Sequence, residues 1–396
     1  MAKRRGTNND DTLTGTNGAD TIYGLDGDDR IDPRLGADRI FAGAGDDTVV
    51  FTSVMSSFPP PEKVGRIDGG SGFDTIDLRS VSPAYLGGRA EQLTVTVGTQ
   101  TFNMIGVEQV LMGASDNWSY LPLFYTGPQL TIRAGDGADY LQGSGNFSLY
   151  GEGGDDRFFI AGVFGSTTRG VIDGGAGHDT LALFNSTTLD LSEGVLRSGD
   201  ATYSVTGIEE VVANADSVVI GSSRDDRFSV RDLFDHADAS VTYSGRGGRD
   251  YLSGSRGGDT IDGGLGADVL RGRAGGDTLT GGAGTDLFVY EAGDSTAADR
   301  DRITDFQRGQ DRIDLSAIDG DPSTPRLDKL DFIGRAAFSG EAGEVRFGLT
   351  GKATVIEADL DGDRIADLSI LLDGRHVLGR SDFVFVAASA DPFGVG

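Results

Sequence analysis

Aspartate recurs at a fixed interval in two stretches of this 396-residue chain, and in both it stands in the same company. Asp11, Asp20, Asp29, Asp38 and Asp47 are each followed two places later by Leu13, Ile22, Ile31, Ile40 or Val49. Asp250, Asp259, Asp268, Asp277 and Asp286 are followed in the same way by Leu252, Ile261, Leu270, Leu279 and Phe288. The full unit is nine residues long, G-G-x-G-x-D-x-U-x with U apolar, and it runs unbroken over 6–50 and 245–289. Its glycines, among them Gly245, Gly247, Gly254, Gly263, Gly264, Gly266, Gly281, Gly282 and Gly284, permit positive φ and close approach of backbone carbonyls. Carbonyl oxygens gathered around a carboxylate form a hard-oxygen environment that suits Ca²⁺ and offers none of the nitrogen or sulfur that zinc prefers.

Such a unit must be carried by something that stacks. Six residues make a Gly-rich turn and three make a strand too short to bury anything alone, so neighbouring units are required to complete a core. One apolar residue per strand points inward and its two neighbours outward. The expected class is all-β: a parallel β-roll or β-helix solenoid of Gly- and Asp-rich nonapeptides.

The units resemble those of the RTX (repeats-in-toxin) proteins, which implies a parallel β-roll with Ca²⁺ held between turns. If each ion bridges loops two units apart, five loops give roughly three sites per block and the two blocks roughly six ions. The residues 281–296, 301–318, 338–347, 358–374 and 381–386 follow one another as in the C-terminal domain of serralysins, the secreted zinc proteases. That resemblance implies a β-sandwich-like cap over 290–388 and a C-terminal signal for type I secretion. The tail 387–396, "AASADPFGVG", departs from the family's usual ending. The family's protease half has no counterpart. An HExxH zinc helix is absent, and His178, His236 and His376 are the only histidines. No G-x-S-x-G elbow, cysteine nucleophile or P-loop occurs.

Between the blocks, 51–244 is internally duplicated, "RIDGGSGFDTIDL" (66–78) returning as "VIDGGAGHDTLAL" (171–183). Further parallel coils with irregular rungs are expected there, and the two blocks could then share one solenoid. Asp74, Asp139, Asp156, Asp179 and Asp226 sit in isolated turns of calcium type, for which a plain β-turn that keeps its aspartate is an equal reading. "DLDGD" at Asp359, Asp361 and Asp363 has acidic spacing but no closing Glu, and reads as a turn between strands. His236 in "FDHAD" (234–238) reads as a solvated loop histidine, and Trp118 and Tyr120 as an aromatic cap on an irregular rung rather than a sugar platform.

Composition limits the partners. Lys plus Arg number 34 against 62 Asp plus Glu, a net charge of −28. Nucleic acid and anionic membrane surfaces are thereby disfavoured, and no stretch is apolar enough to span a bilayer. The start, "MAKRRGTNNDDTLTG", lacks an apolar h-region of Sec type. Extracellular calcium sites with dissociation constants on the order of 10⁻⁴ to 10⁻³ M fill only outside the cell, so binding becomes folding after export. The expected protein is therefore secreted, extracellular or surface-associated, and a matrix, surface-layer or adhesion component. Its partners would be calcium, the type I secretion apparatus and an extracellular polysaccharide or cell surface. Two alternatives stand beside it. One is a polysaccharide-active enzyme of lyase or epimerase type with its site on the 51–244 coils. The other is the secretion half of a split serralysin-like protease.

Overall fold

The computed structural model describes residues 2–52, 64–81, 84–89, 92–97, 100–120, 125–143, 145–160, 168–183, 187–213, 216–230, 240–325 and 327–386. His236 and the tail 387–396 lie outside the described residues. The described residues are almost wholly strand and turn, and their one helical element is the 3₁₀ turn Arg380–Asp382. The chain divides into two units, Met1–Thr187 with Gly194–Glu210, and Thr188–Glu193 with Val211–Gly396.

In the first unit the single apolar residue of each nonapeptide stacks on its equivalent. Thr12–Thr14, Arg30–Asp32, Thr48–Val50, Thr75–Asp77 and Gln109–Leu111 pair in parallel, so that Leu13, Ile31, Val49, Ile76 and Val110 lie in register. The row continues through Ile132, Leu149, Ile172 and Val205. All of these except Leu13 are buried. Ile22, Ile40, Ile67 and Met104 form a second buried row on the alternate strands. Each strand contributes one inward side chain, so the core is a set of apolar columns and rung-to-rung stacking supplies the burial that a three-residue strand lacks.

The duplicated middle keeps the coil but carries inserts. Ala84–Arg89, Gln92–Val97 and Gln100–Ile105 form an antiparallel meander, and the last of these rejoins the parallel row beside Gly65–Ser71. A third parallel row, from Ala84–Arg89 through Trp118–Tyr120, Tyr140–Gly143 and Arg157–Ile160 to Thr180–Leu183, buries Leu86, Leu141, Phe158 and Leu181.

In the second unit Val219, Tyr243, Ile261, Leu279, Ile303 and Leu372 share one register. Phe228, Leu252, Leu270, Phe288, Ile313 and Phe383 share another. Some strands are longer than three residues: Thr260–Gly266 and Thr278–Gly284 run on into the turn and pair there, Gly264 with Gly282 and Gly266 with Gly284. After the last nonapeptide, Glu344–Thr350, Ala353–Asp359 and Leu368–Asp373 form an antiparallel sheet, and Leu368–Asp373 also pairs in parallel with Asp301–Ile303. The C-terminal region thus extends both of these rows, one through Leu372 and the other through Phe383.

Candidate calcium ladders

Every repeat aspartate takes part in a ladder that crosses the turns. The backbone N–H of Asp11 donates to Oδ1 of Asp29 (2.8 Å), that of Asp29 to Asp47 (2.8 Å), that of Asp47 to Asp74 (3.0 Å), and that of Asp74 to Oε2 of Glu108 (2.9 Å). Asp20 donates in the same way to Asp38 (2.7 Å). The middle aspartates form a ladder of their own, Asn117 to Asp139 (2.6 Å), Asp139 to Asp156 (2.8 Å), Asp156 to Asp179 (2.8 Å) and Asp179 to Glu209 (2.9 Å). The second unit has two more. Asp226, Asp250, Asp268, Asp286 and Asp311 follow one another in one, and Asp259, Asp277 and Asp301 in the other. In the regular blocks the step is 18 residues, two nonapeptides, so each ladder keeps to one edge of the roll.

One oxygen of each carboxylate is used in this way, and the other divides the loops into two kinds. Oδ2 of Asp29, Asp38, Asp47, Asp74, Asp139, Asp156, Asp179, Asp250, Asp268, Asp277, Asp286 and Asp301 is buried and has no hydrogen-bond partner. In the first eleven of these loops the residue four places before the aspartate has positive φ: Leu25, Arg34, Gly43, Gly70, Gly135, Glu152, Gly175, Arg246, Gly264, Arg273 and Gly282 respectively; Asp301, the last of its ladder, is the exception, with Ala297 there. In the other kind, Asp11, Asp20, Asp226 and Asp259 accept the backbone N–H of Thr7 (2.5 Å), Thr16 (2.6 Å), Ser222 (2.6 Å) and Ser255 (2.5 Å) on Oδ2. The hydroxyls of these four residues add a second bond to the same carboxylate, and none of the four has positive φ.

A buried carboxylate oxygen without a donor is costly, because it has lost water and gained nothing. A second oxygen is close by. A β-carbon built on Gly263 would lie 2.6 Å from Oδ2 of Asp268 and 2.6 Å from the carbonyl oxygen of Gly281, the equivalent residue two units on. Carboxylate and carbonyl oxygens converging on one point form a hard-cation donor set, so these residues fit calcium.

Burial also raises the pKa of these groups. It pushes Asp38, Asp74 and Asp156 up to about 7, Asp47, Asp139, Asp179 and Asp286 to about 6, and Asp250 and Asp277 to about 8. Backbone N–H donors pull the other way and neighbouring carboxylates mostly add to the rise. The loops of the other kind are mixed: Asp20 is lowered, the donors Ala2 and Thr16 outweighing burial, whereas burial raises Asp226 and pushes Asp259 up to about 6.

Five ladder members lay outside the aspartates picked out from the sequence: Glu108, Asn117, Glu209, Asp301 and Asp311. Asp301 and Asp311 do carry the D-x-U signature, with Ile303 and Ile313 two places on, but no glycine pair opens their turns. Asp301 is the most strongly perturbed, pushed to about 9 by burial and then by the charge of Asp277. Asp359, Asp361 and Asp363 bring ligand atoms within 4.8 Å of one another. Both oxygens of Asp359 are nevertheless taken by backbone N–H groups, of Gly362 (2.7 Å) and Arg364 (2.9 Å), as in a turn. His178 is exposed in its loop, and the ring of His376 lies edge-on to Phe306 with Nε2 2.8 Å from the carbonyl oxygen of Asp373.

Residues 140–385 match the family model described as peptidase M10 serralysin C terminal. Residues 5–38 and 34–51 match the RTX calcium-binding nonapeptide repeat. No curated protein matches the chain. Among solved structures, the AlgE6R2 subunit of the Azotobacter vinelandii mannuronan C5-epimerase is 23% identical, covering 43% of this chain and 94% of that one, with a TM-score of 0.24. The AlgE6R3 subunit of the same enzyme is 28% identical over 43% and 85%, with a TM-score of 0.21. The extracellular lipase LipA of Serratia marcescens is 15% identical over 72% and 44%, at 0.19. Such low TM-scores leave the fold to be read from the strand pairing itself.

Proposed function

This chain belongs to the serralysin C-terminal family of peptidase M10 proteins and carries RTX calcium-binding repeats, and from that premise we propose that it is a secreted protein whose β-roll folds on extracellular calcium. The observation that carries the reading is the set of twelve buried aspartate oxygens without a donor among the described residues, each beside its ladder. At a net charge of −28 the stacked turns repel one another until cations neutralise them. In the cytosol, sites of extracellular type stay unfilled and the chain stays unfolded and threadable. Outside, calcium supplies both the missing ligand and the missing charge. Export through a type I system, with the signal in the C-terminal region, follows from the family. A matrix or adhesion role suits a chain whose recurring acidic turns serve the fold itself.

The test is calcium counting during refolding. Far-UV circular dichroism of the chain in rising Ca²⁺ is expected to gain β signal in step with several ions bound per chain by equilibrium dialysis. Mg²⁺ at the same concentrations is expected to do neither, because it sheds its water reluctantly and demands a tight octahedron. A chain already fully folded before any calcium binds would sink the proposal.

A further inference from the structure

The two kinds of loop are not scattered at random. Asp11, Asp20, Asp226 and Asp259, whose second oxygen is satisfied from within the loop, are each the first carboxylate of their ladder; Oδ1 of Asp20 and of Asp259 accepts the N–H of a residue without a carboxylate one rung earlier, Ala2 (2.7 Å) and Val241 (2.7 Å). The fifth ladder starts with Asn117, whose amide Nδ2 donates to the carbonyls of Gly113 (2.8 Å) and Ala134 (2.9 Å). At the far end of one ladder, Asp311 accepts the N–H of Gln307 (2.6 Å) on Oδ2. Interior aspartates are of the other kind throughout, as are Asp38 and Asp301 at the ends of their ladders, and the correspondence with positive φ four residues upstream holds in eleven of the twelve, Asp301 excepted.

We infer that the residue at the second place of the turn decides whether a loop takes calcium: positive φ there opens the aspartate to an ion, whereas Ser or Thr there closes it. The closed loops are end pieces that let a ladder start without an ion. In each of these loops a backbone N–H takes the cation's place on Oδ2, and a hydroxyl adds a bond to Oδ2 of Asp11 and Asp20 and to Oδ1 of Asp226 and Asp259. Thr7, Thr16, Ser222 and Ser255 are therefore the cap residues of the roll, and calcium belongs to the eleven open aspartates that follow a residue of positive φ. This inference rests on the calcium-folding reading above and adds to it which loops are filled.

Arg273 tests it. It has positive φ (74°), an uncommon conformation for a side-chain-bearing residue, and it stands at the second place of the Asp277 loop. Arg273→Ser offers that loop a cap, whereas Arg273→Gly removes the same charge and keeps the loop open. Bound calcium per folded chain, by atomic emission after dialysis at saturating Ca²⁺, is expected to be unchanged in Arg273→Gly and lower by one ion in Arg273→Ser. Equal counts in the two folded variants would overturn the inference and leave calcium-dependent folding standing. Wild-type protein that binds no calcium would remove the parent reading instead. Should Arg273→Ser not fold, Arg246→Ser asks the same question of Asp250 in the other ladder.

A separate observation concerns the outward face of the third parallel row of the first unit. Tyr85, Trp118, Tyr140, Arg157 and Thr180 occupy equivalent positions on successive rungs. The hydroxyl of Thr180 in turn donates to Oε2 of Glu210 (3.4 Å). Trp118 is 56% exposed, stacks on Tyr140 at 5.1 Å between ring centroids, and forms the lip of a cleft of about 380 Å³ that Arg157, His178 and Glu210 also line. Arg157 is exposed and makes no ion pair among the described residues. A large exposed indole beside convergent polar groups is the anatomy of a ligand site rather than of solvated surface. Parallel rungs about 4.8 Å apart repeat at close to the length of a pyranose unit.

We propose that this cleft binds a linear, uncharged polysaccharide, its sugar rings lying against Trp118 and Tyr140 and its hydroxyls meeting Arg157 and Glu210. The absence of charge follows from the carboxylates at the site and the acidity of the whole chain, which would repel a polyanion. The chain has a single tryptophan, so indole emission reports on this cleft alone. Titration of the calcium-loaded protein with cellohexaose is expected to shift Trp118 emission saturably, and Arg157→Ala is expected to weaken that binding about tenfold. A shift with polygalacturonate alone would refute the uncharged ligand. No shift with either, in protein that circular dichroism shows to be folded, would refute the site.

Discussion

Transfer of the calcium-loaded protein into excess chelator at about pH 8 is expected to erase most of its β signal, and acidification of the same sample to about pH 4 is expected to restore part of it. The first half follows from magnitudes. An ion held at a hundredfold excess over its dissociation constant stabilises the folded chain by about 2.7 kcal/mol, and a domain's whole stability is about 5–15 kcal/mol. Loss of several ions therefore exceeds what the apolar columns leave over. The second half follows from the sign of the shifts. In the unfolded chain an aspartate titrates near 3.8, whereas Asp38 and Asp74 titrate near 7 and Asp250 and Asp277 near 8 in the calcium-free roll. A raised folded value means that the folded state binds the extra protons. Its contribution is complete below the unfolded value, declines as pH climbs through the interval between the two, and is gone above the folded one. Protons thus substitute for calcium as neutralisers of the ladders. Circular dichroism in chelator across that interval checks the direction: a β signal that grows with rising pH would contradict it.

The substitution Gly266→Ala is expected to cost about 3 kcal/mol or more, whereas Gly18→Ala is expected to stay within about 0.5 kcal/mol. Both glycines hold the fourth place of the turn. Gly266 has φ of +142°, and a β-carbon on it would overlap the carbonyl oxygen of Gly248, with the carbonyl carbon at 2.7 Å. Successive turns touch there backbone to backbone, and no rotamer relieves the clash. A β-carbon on Gly18 meets nothing within 4 Å, because its turn is the first on its edge. For the same reason Asn9 is accepted at this place in the opening unit. Guanidinium denaturation of the calcium-loaded variants separates the two. Equal midpoints would mean that the turns are not in contact.

The period of the sequence made the main features legible. Counting from aspartate to aspartate located the turns, and the apolar residue two places on located the columns, since a strand with one inward side chain has no other choice. The isolated aspartates were harder. "GSSRDDRFS" lacks a glycine pair, yet Asp226 heads a ladder because Ser222 supplies the donors. The second place of the turn was read as a demand for glycine, although Leu25, Arg34, Glu152, Arg246 and Arg273 stand there with positive φ. Their strain is held by the ladder and the stacked rungs, which local composition does not reveal. Glycine is not strictly required at the first place either, where Pro33 and Ala42 stand in two units. Glu108 and Glu209 hold the aspartate's place, two residues before Val110 and Val211, but no glycine pair opens their turns and the acid is a different one, so the nonapeptide pattern does not reach them.

The steps of the ladders vary more than the ladders do. Asp47 to Asp74 spans 27 residues, Asp74 to Glu108 spans 34, Asp139 to Asp156 spans 17 and Asp179 to Glu209 spans 30, and each closes with the same N–H to carboxylate bond. A rung is therefore defined by its two contact points and is indifferent to the chain length between them. That makes the roll a tolerant host. Segments of foreign origin spliced into the long steps should leave the rungs on either side unchanged, while a single residue added inside a turn, between its second place and its aspartate, should break the rung it enters.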